Sequence, residues 1–256
     1  MRRASESVAV RNEAILERIR RLKSDHPFWG YRHCWAHLRY VDRLDVNKKR
    51  VYRLMKAHQL LATQTTHDVP RVSKRSKPRP DRPNQWWGID MTKAITDSGW
   101  AYVVVVKDWY TKKVVGHYCG RTSTAGEWLI ALDRAVNRQF PHGVRDRQLH
   151  LMSDNGSQPT SERFMKACSL LGIHQAFTSY NNPKGNADTE RMMRTLKEEL
   201  IWLREWRDPH ELSTALDQWI ESYNETWLHS ALGYRTPNRF EETYNLTTRT
   251  LLENAG

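Results

Sequence analysis

Beginning at Trp86, the chain carries three β-rich segments in succession, "QWWGIDMT", "WAYVVVVKDWY" and "KKVVGHYCG", separated only by short turns. Runs this dense in Val, Trp, Tyr and Ile predict an antiparallel meander. The pattern then turns to alternation. A helix is expected over about 124–138, with Trp128, Leu129, Leu132 and Val136 on one face. A strand ending at Asp154, a helix over about 159–171, the strand "IHQAFTS" and a long helix over about 187–206 follow. Hairpins followed by alternating helix and strand leave few solutions other than a mixed α/β sheet with helices on its faces.

After that core, "RDPHELSTALDQWIESYNETW" opens a further helix: Asp208 as N-cap, Pro209 as first residue inside, Glu211 at the capping-box position. Leu212, Leu216, Trp219, Tyr223 and Trp227 form its apolar stripe, a pattern that serves core packing more often than base stacking.

The region before Trp86 has a different texture. Val8, Ile15, Ile19 and Leu22 recur at helical spacing and stop before His26-Pro27, which predicts a helix over about 5–24. "GYRHCWAHLRY" predicts a short second helix. "DVNKKRVYRLMKAHQLLA" predicts a third, with Asn47 as N-cap and Val51, Leu54 and Met55 facing inward. Three short helices with a basic third one suit a helix-turn-helix over residues 1–65. Lys48, Lys49, Arg50 and Arg53 would then face nucleic acid, although the periodicity fits an ordinary helical bundle equally well. Residues 66–85 hold Pro70, Pro78, Pro80 and Pro83 among six Lys and Arg and show no periodicity. They read as an extended basic linker, with Lys74, Arg75 and Lys77 available to phosphates. The expected division is completed by a catalytic core over 86–206 and a helical extension over 207–256.

Charge follows the same division. Residues 1–85 hold 21 Lys and Arg against 8 Asp and Glu, whereas residues 86–256 hold 20 against 21. The whole excess of +12 therefore comes from the first third. Charge concentrated this way points to a polyanion, most simply nucleic acid. Three widely separated cysteines, Cys34, Cys119 and Cys168, predict no disulfide framework. Neither a leader-like apolar segment nor a run of the ~20 apolar residues needed to span a bilayer occurs, so a cytoplasmic location is expected. His33, Cys34 and His37 have no second ligand pair at finger spacing, so a zinc domain is not expected.

Three acids stand out. Asp90 interrupts an apolar strand, Asp154 follows the next core strand in "LMSDNGSQ", and Glu190 opens the long helix. Asp-Asn-Gly is by itself a turn signal, so Asp154 has a bland reading as a turn former. Clustered carboxylates are costly unless a cation holds them. Oxygen ligands without Cys or His favour Mg²⁺ or Mn²⁺. Asp108, near a hairpin turn, reads as structural.

Asp154 and Glu190 have 35 residues between them. That spacing resembles the Asp-Asp-Glu transposases and retroviral integrases, which share an RNase-H-like core. "RPNQWWGIDMT", "SDNGSQ" and "NADTERMMRTLKEE" are similar to the three catalytic blocks of bacterial insertion sequence family three, in its second open reading frame product. "WGYRHCWAHL", "VNKKRVYRLMKAHQLL" and "YNETWLHSALGYRTPNRF" resemble its flanking signatures, with Trp227 standing where many relatives carry Arg.

The resemblance implies metal-dependent DNA cleavage and strand transfer by Asp90, Asp154 and Glu190, with two Mg²⁺ or Mn²⁺ ions. Asp90 would bridge both ions. It implies DNA contacts by Lys184 and Lys197; Lys197 lies two helical turns after Glu190, ~10.5 Å along the same face. It further implies a homo-oligomer on DNA, at least a dimer, an upstream reading-frame product as partner or fusion, and a site of action at the bacterial nucleoid. Two rivals stay open: a divalent-metal nuclease with the same core, and a domesticated DNA-binding protein without catalysis.

Overall fold

The computed structural model describes residues 6–62, 78–178 and 186–253. The chain divides into two compact units, Met1–Arg71 and Val72–Gly256.

The first unit is helical: α1 (Glu6–Asp25), α2 (Tyr31–Ala36), which runs on as a π-helical turn through Val41, and α3 (Lys48–Ala57). Leu16, Ile19 and Leu22 of α1 pack into one core with Cys34, Trp35, Leu38, Val51 and Met55, while Leu54 stays half-buried. Asn47 caps α3 as expected, its side-chain oxygen accepting the Arg50 N–H at 2.8 Å. Arg18 holds Asp42 through two nitrogens, at 2.8 and 2.9 Å, tying α1 to the turn before α3. The Trp35 indole donates to the Val46 carbonyl.

The second unit is built on a five-stranded sheet: β1 (Trp86–Thr96), β2 (Gly99–Asp108), β3 (Val114–Gly120), β4 (His150–Ser153) and β5 (His174–Phe177), in the order β3-β2-β1-β4-β5. The first three strands form the expected antiparallel meander, and β4 and β5 run parallel to β1. This is the mixed sheet that the pattern of hairpins followed by βα alternation demands.

One face carries α4 (Ala125–Gln139) and α5 (Glu162–Leu170), packing Trp128, Leu132 and Phe164 on Trp87, Ile89, Val104 and Val106. The other carries α6 (Ala187–Glu199) and α7 (Pro209–Thr226), packing Met192, Met193, Leu196, Leu212, Leu216 and Ile220 on Ala94, Ala101, Val103 and Val105. Burial on both faces explains why β2 reads as an unbroken apolar run. A last helix, α8 (Pro237–Glu253), lies against α7.

Two details differ from the periodicity. The long helix was expected to reach about 206, but α6 ends at Glu199 and a single 3₁₀ turn follows. The buried indole of Trp206 folds back to donate to the Ile201 carbonyl at 3.0 Å, which a continuous helix would not permit. At the other end of that connection, Asp208 accepts the His210 and Glu211 N–H groups, whereas the Glu211 carboxylate reaches one residue further back than a standard box, to the Arg207 N–H.

Candidate active site

Asp90 owes its place to strand alternation. Trp87 and Ile89 point into the α4 side of the sheet, so Gly88 and Asp90 face the α6 side. β4 lies parallel to β1 with Trp86 opposite His150, Trp87 opposite Leu151 and Gly88 opposite Met152. Continuing that register by two residues would bring Asp154 opposite Asp90, and the Asp154 charge does reach the Asp90 carboxyl. β4 ends at Ser153, and Asp154 starts the turn, one carboxylate oxygen accepting the Gly156 N–H at 3.0 Å. The turn reading of Asp154 is therefore correct for one of its two oxygens.

Glu190 is brought in by α6, and glycine at position 88 makes that possible. A Cβ at Gly88 would lie 1.9 Å from Thr189 Oγ1, 2.5 Å from Trp109 Nε1 and 2.8 Å from Asn186 Oδ1. The first turn of α6 thus rests directly on the β1 backbone, two residues from Asp90. Trp109 donates to Thr189 Oγ1 at 3.0 Å and Asn186 donates to the Ile89 carbonyl at 3.4 Å, seating the helix end that carries Glu190. None of these contacts was read from the sequence. The unusual Gly88 inside a strand was the available signal, since such a glycine marks close approach of another backbone.

The three acids share one electrostatic environment. The Asp90 carboxyl is pushed up to about 6, first by burial and then by the negative charges of Asp154 and Glu190. The Met91 N–H, 2.8 Å from its Oδ1, and the Lys197 cation act the other way. Lys197 is therefore within electrostatic reach of the site, as its helical spacing implied. Among the described residues, no three acid, His or Cys side chains close into a ready-made metal shell. Asp90 feels the negative charge of both Asp154 and Glu190, so the three acids act on one another without a cation between them. Their chemistry fits a hard divalent cation: oxygen donors only, from three separate elements, with a mutual repulsion that a cation reverses. Asp108 has another role. Fully buried, it accepts from the Asn84 and Tyr110 N–H groups and from the Thr111 hydroxyl, locking the turn after β2.

In the helical unit, Tyr31, Lys48, Lys49, Tyr52 and Arg53 line a shallow groove of about 530 Å³ along α3. Lys48 extends over the Trp35 ring, 4.2 Å from its centroid. Arg50 points elsewhere: its Nε donates to Asn12 of α1 at 2.9 Å. Lys74, Arg75, Lys77 and Lys184 lie outside the described residues.

Comparison with known proteins agrees with this fold. Integrase core domain models match residues 80–183 and 171–237, and an HTH-like domain model matches residues 10–67. The chain is 28% identical over 235 residues to the Escherichia coli transposase InsD for insertion element IS2A/D/F/H/I/K, across 88% of this chain and 77% of that protein. The InsD transposase for insertion element IS2D, from Escherichia coli strain K12, matches equally well. The chain belongs to the integrase-core transposases of insertion elements. The fold agrees: a simian T-cell lymphotropic virus intasome, solved with the PP2A regulatory subunit B56 gamma, superposes with a TM-score of 0.54. That match, at 19% identity, covers 80% of this chain and 73% of the viral one. As in that family's core, the integrase-core transposase described here has its mixed five-stranded sheet between helices. Among the described residues, no helix is long and apolar enough to cross a membrane.

Proposed function

We propose that this transposase cleaves DNA at the ends of a mobile element and joins them to target DNA, using Asp90, Asp154 and Glu190 to hold two Mg²⁺ or Mn²⁺ ions. The observation that carries this reading is the convergence of three acids, from a strand, a strand end and a helix start, on one side of one sheet. When bound, a metal pair activates an attacking oxygen and steadies the charge on the leaving one. Asp90, fixed by the central strand, would hold the metal together with Asp154 and Glu190. Asp154 holds its backbone turn with one oxygen and offers the other. Glu190 closes the site from α6, and Lys197, on the same helix, receives a DNA phosphate.

The domain roles follow from charge. Residues 1–65 and the linker 66–85 would bind duplex through Lys48, Lys49, Arg53, Lys74, Arg75 and Lys77, with Lys184 adding a contact beside the core. The core 86–206 carries the chemistry, and 207–256 buttresses it. Joining two ends calls for at least two copies on DNA, and an upstream reading-frame product would supply further end recognition.

The test is incubation of the full chain with a labelled duplex bearing an element end and a target duplex, with Mg²⁺ or with EDTA. Metal-dependent nicking at the end followed by joined products is expected. Cleavage without joining would make the chain a nuclease, and binding without cleavage would remove catalysis from it altogether.

A further inference from the structure

Of the three acids, Glu190 is the one carried by a helix end, so its position is only as good as the seating of that end. Beyond Gly88 and Trp109, the same turn meets two lysines. Lys107 stands in β2 directly opposite Gly88 and is 3% exposed. Its ammonium donates to the main-chain oxygen of Asp188 at 3.1 Å. Lys112, beyond the end of β2, donates to the Trp109 carbonyl at 2.6 Å and pairs with the Asp188 carboxylate at 3.3 Å. Lys112 and Asp188 are both largely buried, with side-chain exposures of 16% and 22%.

We propose that Lys107, Lys112 and Asp188 form an anchor that positions Glu190 for divalent metal, a role that rests on the metal reading given above. A buried lysine near the end of an inner strand costs more than an apolar residue of the same size, so packing alone does not account for Lys107. Its target does. Lys107 and Lys112 take hold of residue 188 through its carbonyl and its carboxylate, while Trp109 takes hold of Thr189. The two residues immediately before Glu190 are thereby fixed to β2 and the turn that follows it.

The anchor also has the right sign. Asp90, Asp154 and Glu190 repel one another before a cation enters, and that repulsion pushes the start of α6 away from β1. Two ammonium groups bonded to the same turn oppose the displacement. They leave Glu190 close enough that a metal need not draw the helix in at its own expense. These three are positioning residues, since they touch Glu190's neighbours and not the reacting atoms.

The experiment is titration of the full-length chain with Mn²⁺ alone, read as calorimetric binding and as the rise in melting temperature. Lys112→Met and Asp188→Asn should each raise the half-saturating Mn²⁺ by about tenfold, the scale seen when residues supporting metal ligands are removed. Lys112→Arg, which keeps the cation, should stay within about twofold of wild type. The double variant Lys112→Met with Asp188→Asn should be no worse than the more damaging single one, because both break the same Lys112–Asp188 pair. Unchanged half-saturation in the Met and Asn variants, alongside a lowered melting temperature without metal, would reduce the anchor to ordinary packing and overturn the proposal. Asp90→Asn separates the two levels. If it binds Mn²⁺ as wild type does, the metal reading fails and the anchor with it. If it abolishes binding while Lys112→Met leaves binding intact, only the anchor fails.

Discussion

The helical unit displays its cations, with Lys48, Lys49 and Arg53 exposed along α3, whereas the core gathers acids around the half-buried Asp90. The two regions use charge differently. On α3, many weak contacts to a polyanion add up, and no single lysine needs an exact place. Around Asp90, the like charges are worth nothing unless a cation joins them, so position decides everything. Substitutions should therefore act gradually in the first region and abruptly in the second.

The largest effect is expected at Asp154. Asp154→Asn retains an oxygen for the Gly156 N–H, so the turn and the fold should survive. Removing one metal-holding charge should nevertheless lower metal-dependent cleavage by about 100-fold or more. Turnover near the wild-type level, measured on a labelled end duplex, would return Asp154 to the role of turn former.

Gly88→Ala should act nearly as strongly but by another route. Its Cβ would overlap Thr189 Oγ1, Trp109 Nε1 and Asn186 Oδ1, and overpacking of this kind costs about 1–3 kcal/mol. Gly116→Ala is the matched control on the opposite face, where a Cβ would lie 2.3 Å from the Ala131 carbonyl and 2.7 Å from Ala135 Cβ. Both should lower the urea midpoint. Only Gly88→Ala should also weaken Mn²⁺ binding, because only Gly88 seats the helix of Glu190. Equal effects on metal binding would show that close packing at Gly88 serves stability alone.

Much of this was legible before the structure, and the boundary of what was not is instructive. Periodicity is local, so the meander, the βα alternation and the three amino-terminal helices could be read from it. Asp90 was visible because it breaks an apolar run, and Asp154 and Glu190 because of the 35 residues between them. The contacts that seat Glu190 join residues about eighty positions apart, such as Lys107 to Asp188, and depend on sheet register that no local pattern encodes. Lys107 did leave a trace, as a charge following four valines. The early end of α6 depends on the indole of Trp206 folding back, and the direction of Arg50 depends on how α3 sits against α1. Neither is a property of a single segment.

A smaller effect concerns the buried Asp108, which separates structural from catalytic carboxylates. Burial pushes its carboxyl up to about 6, against an ordinary 3.8, despite four hydrogen bonds that favour the charge. Below about 3.8 both folded and unfolded chains hold the proton, so nothing is lost. As pH rises toward 6 the unfolded chain ionises first, and stability should fall by roughly 2–3 kcal/mol before levelling off. Asp108→Asn should flatten that part of the curve in urea titrations at pH 4 to 7. Parallel curves for the two proteins would mean that Asp108 is charged in both states.

The smallest effect per residue is expected on α3, and it tests the additive side of the comparison. Each phosphate neutralised on duplex DNA contributes about −0.9 to the slope of log affinity against log salt. Replacing Lys48, Lys49 and Arg53 together by Gln should therefore flatten the slope of the full chain by up to ~2.7, with single changes each giving about a third of that. Lys74, Arg75 and Lys77 should behave in the same way if the linker also lies on phosphates. Arg50→Gln supplies the internal control: its guanidinium is bonded to Asn12, so it should lower stability and leave the slope unchanged. A slope that drops with Arg50→Gln but not with the exposed trio would place the DNA on the α1 side of this unit. A slope indifferent to all of them would remove α3 from the DNA interface and leave the excess charge of the first third to the linker.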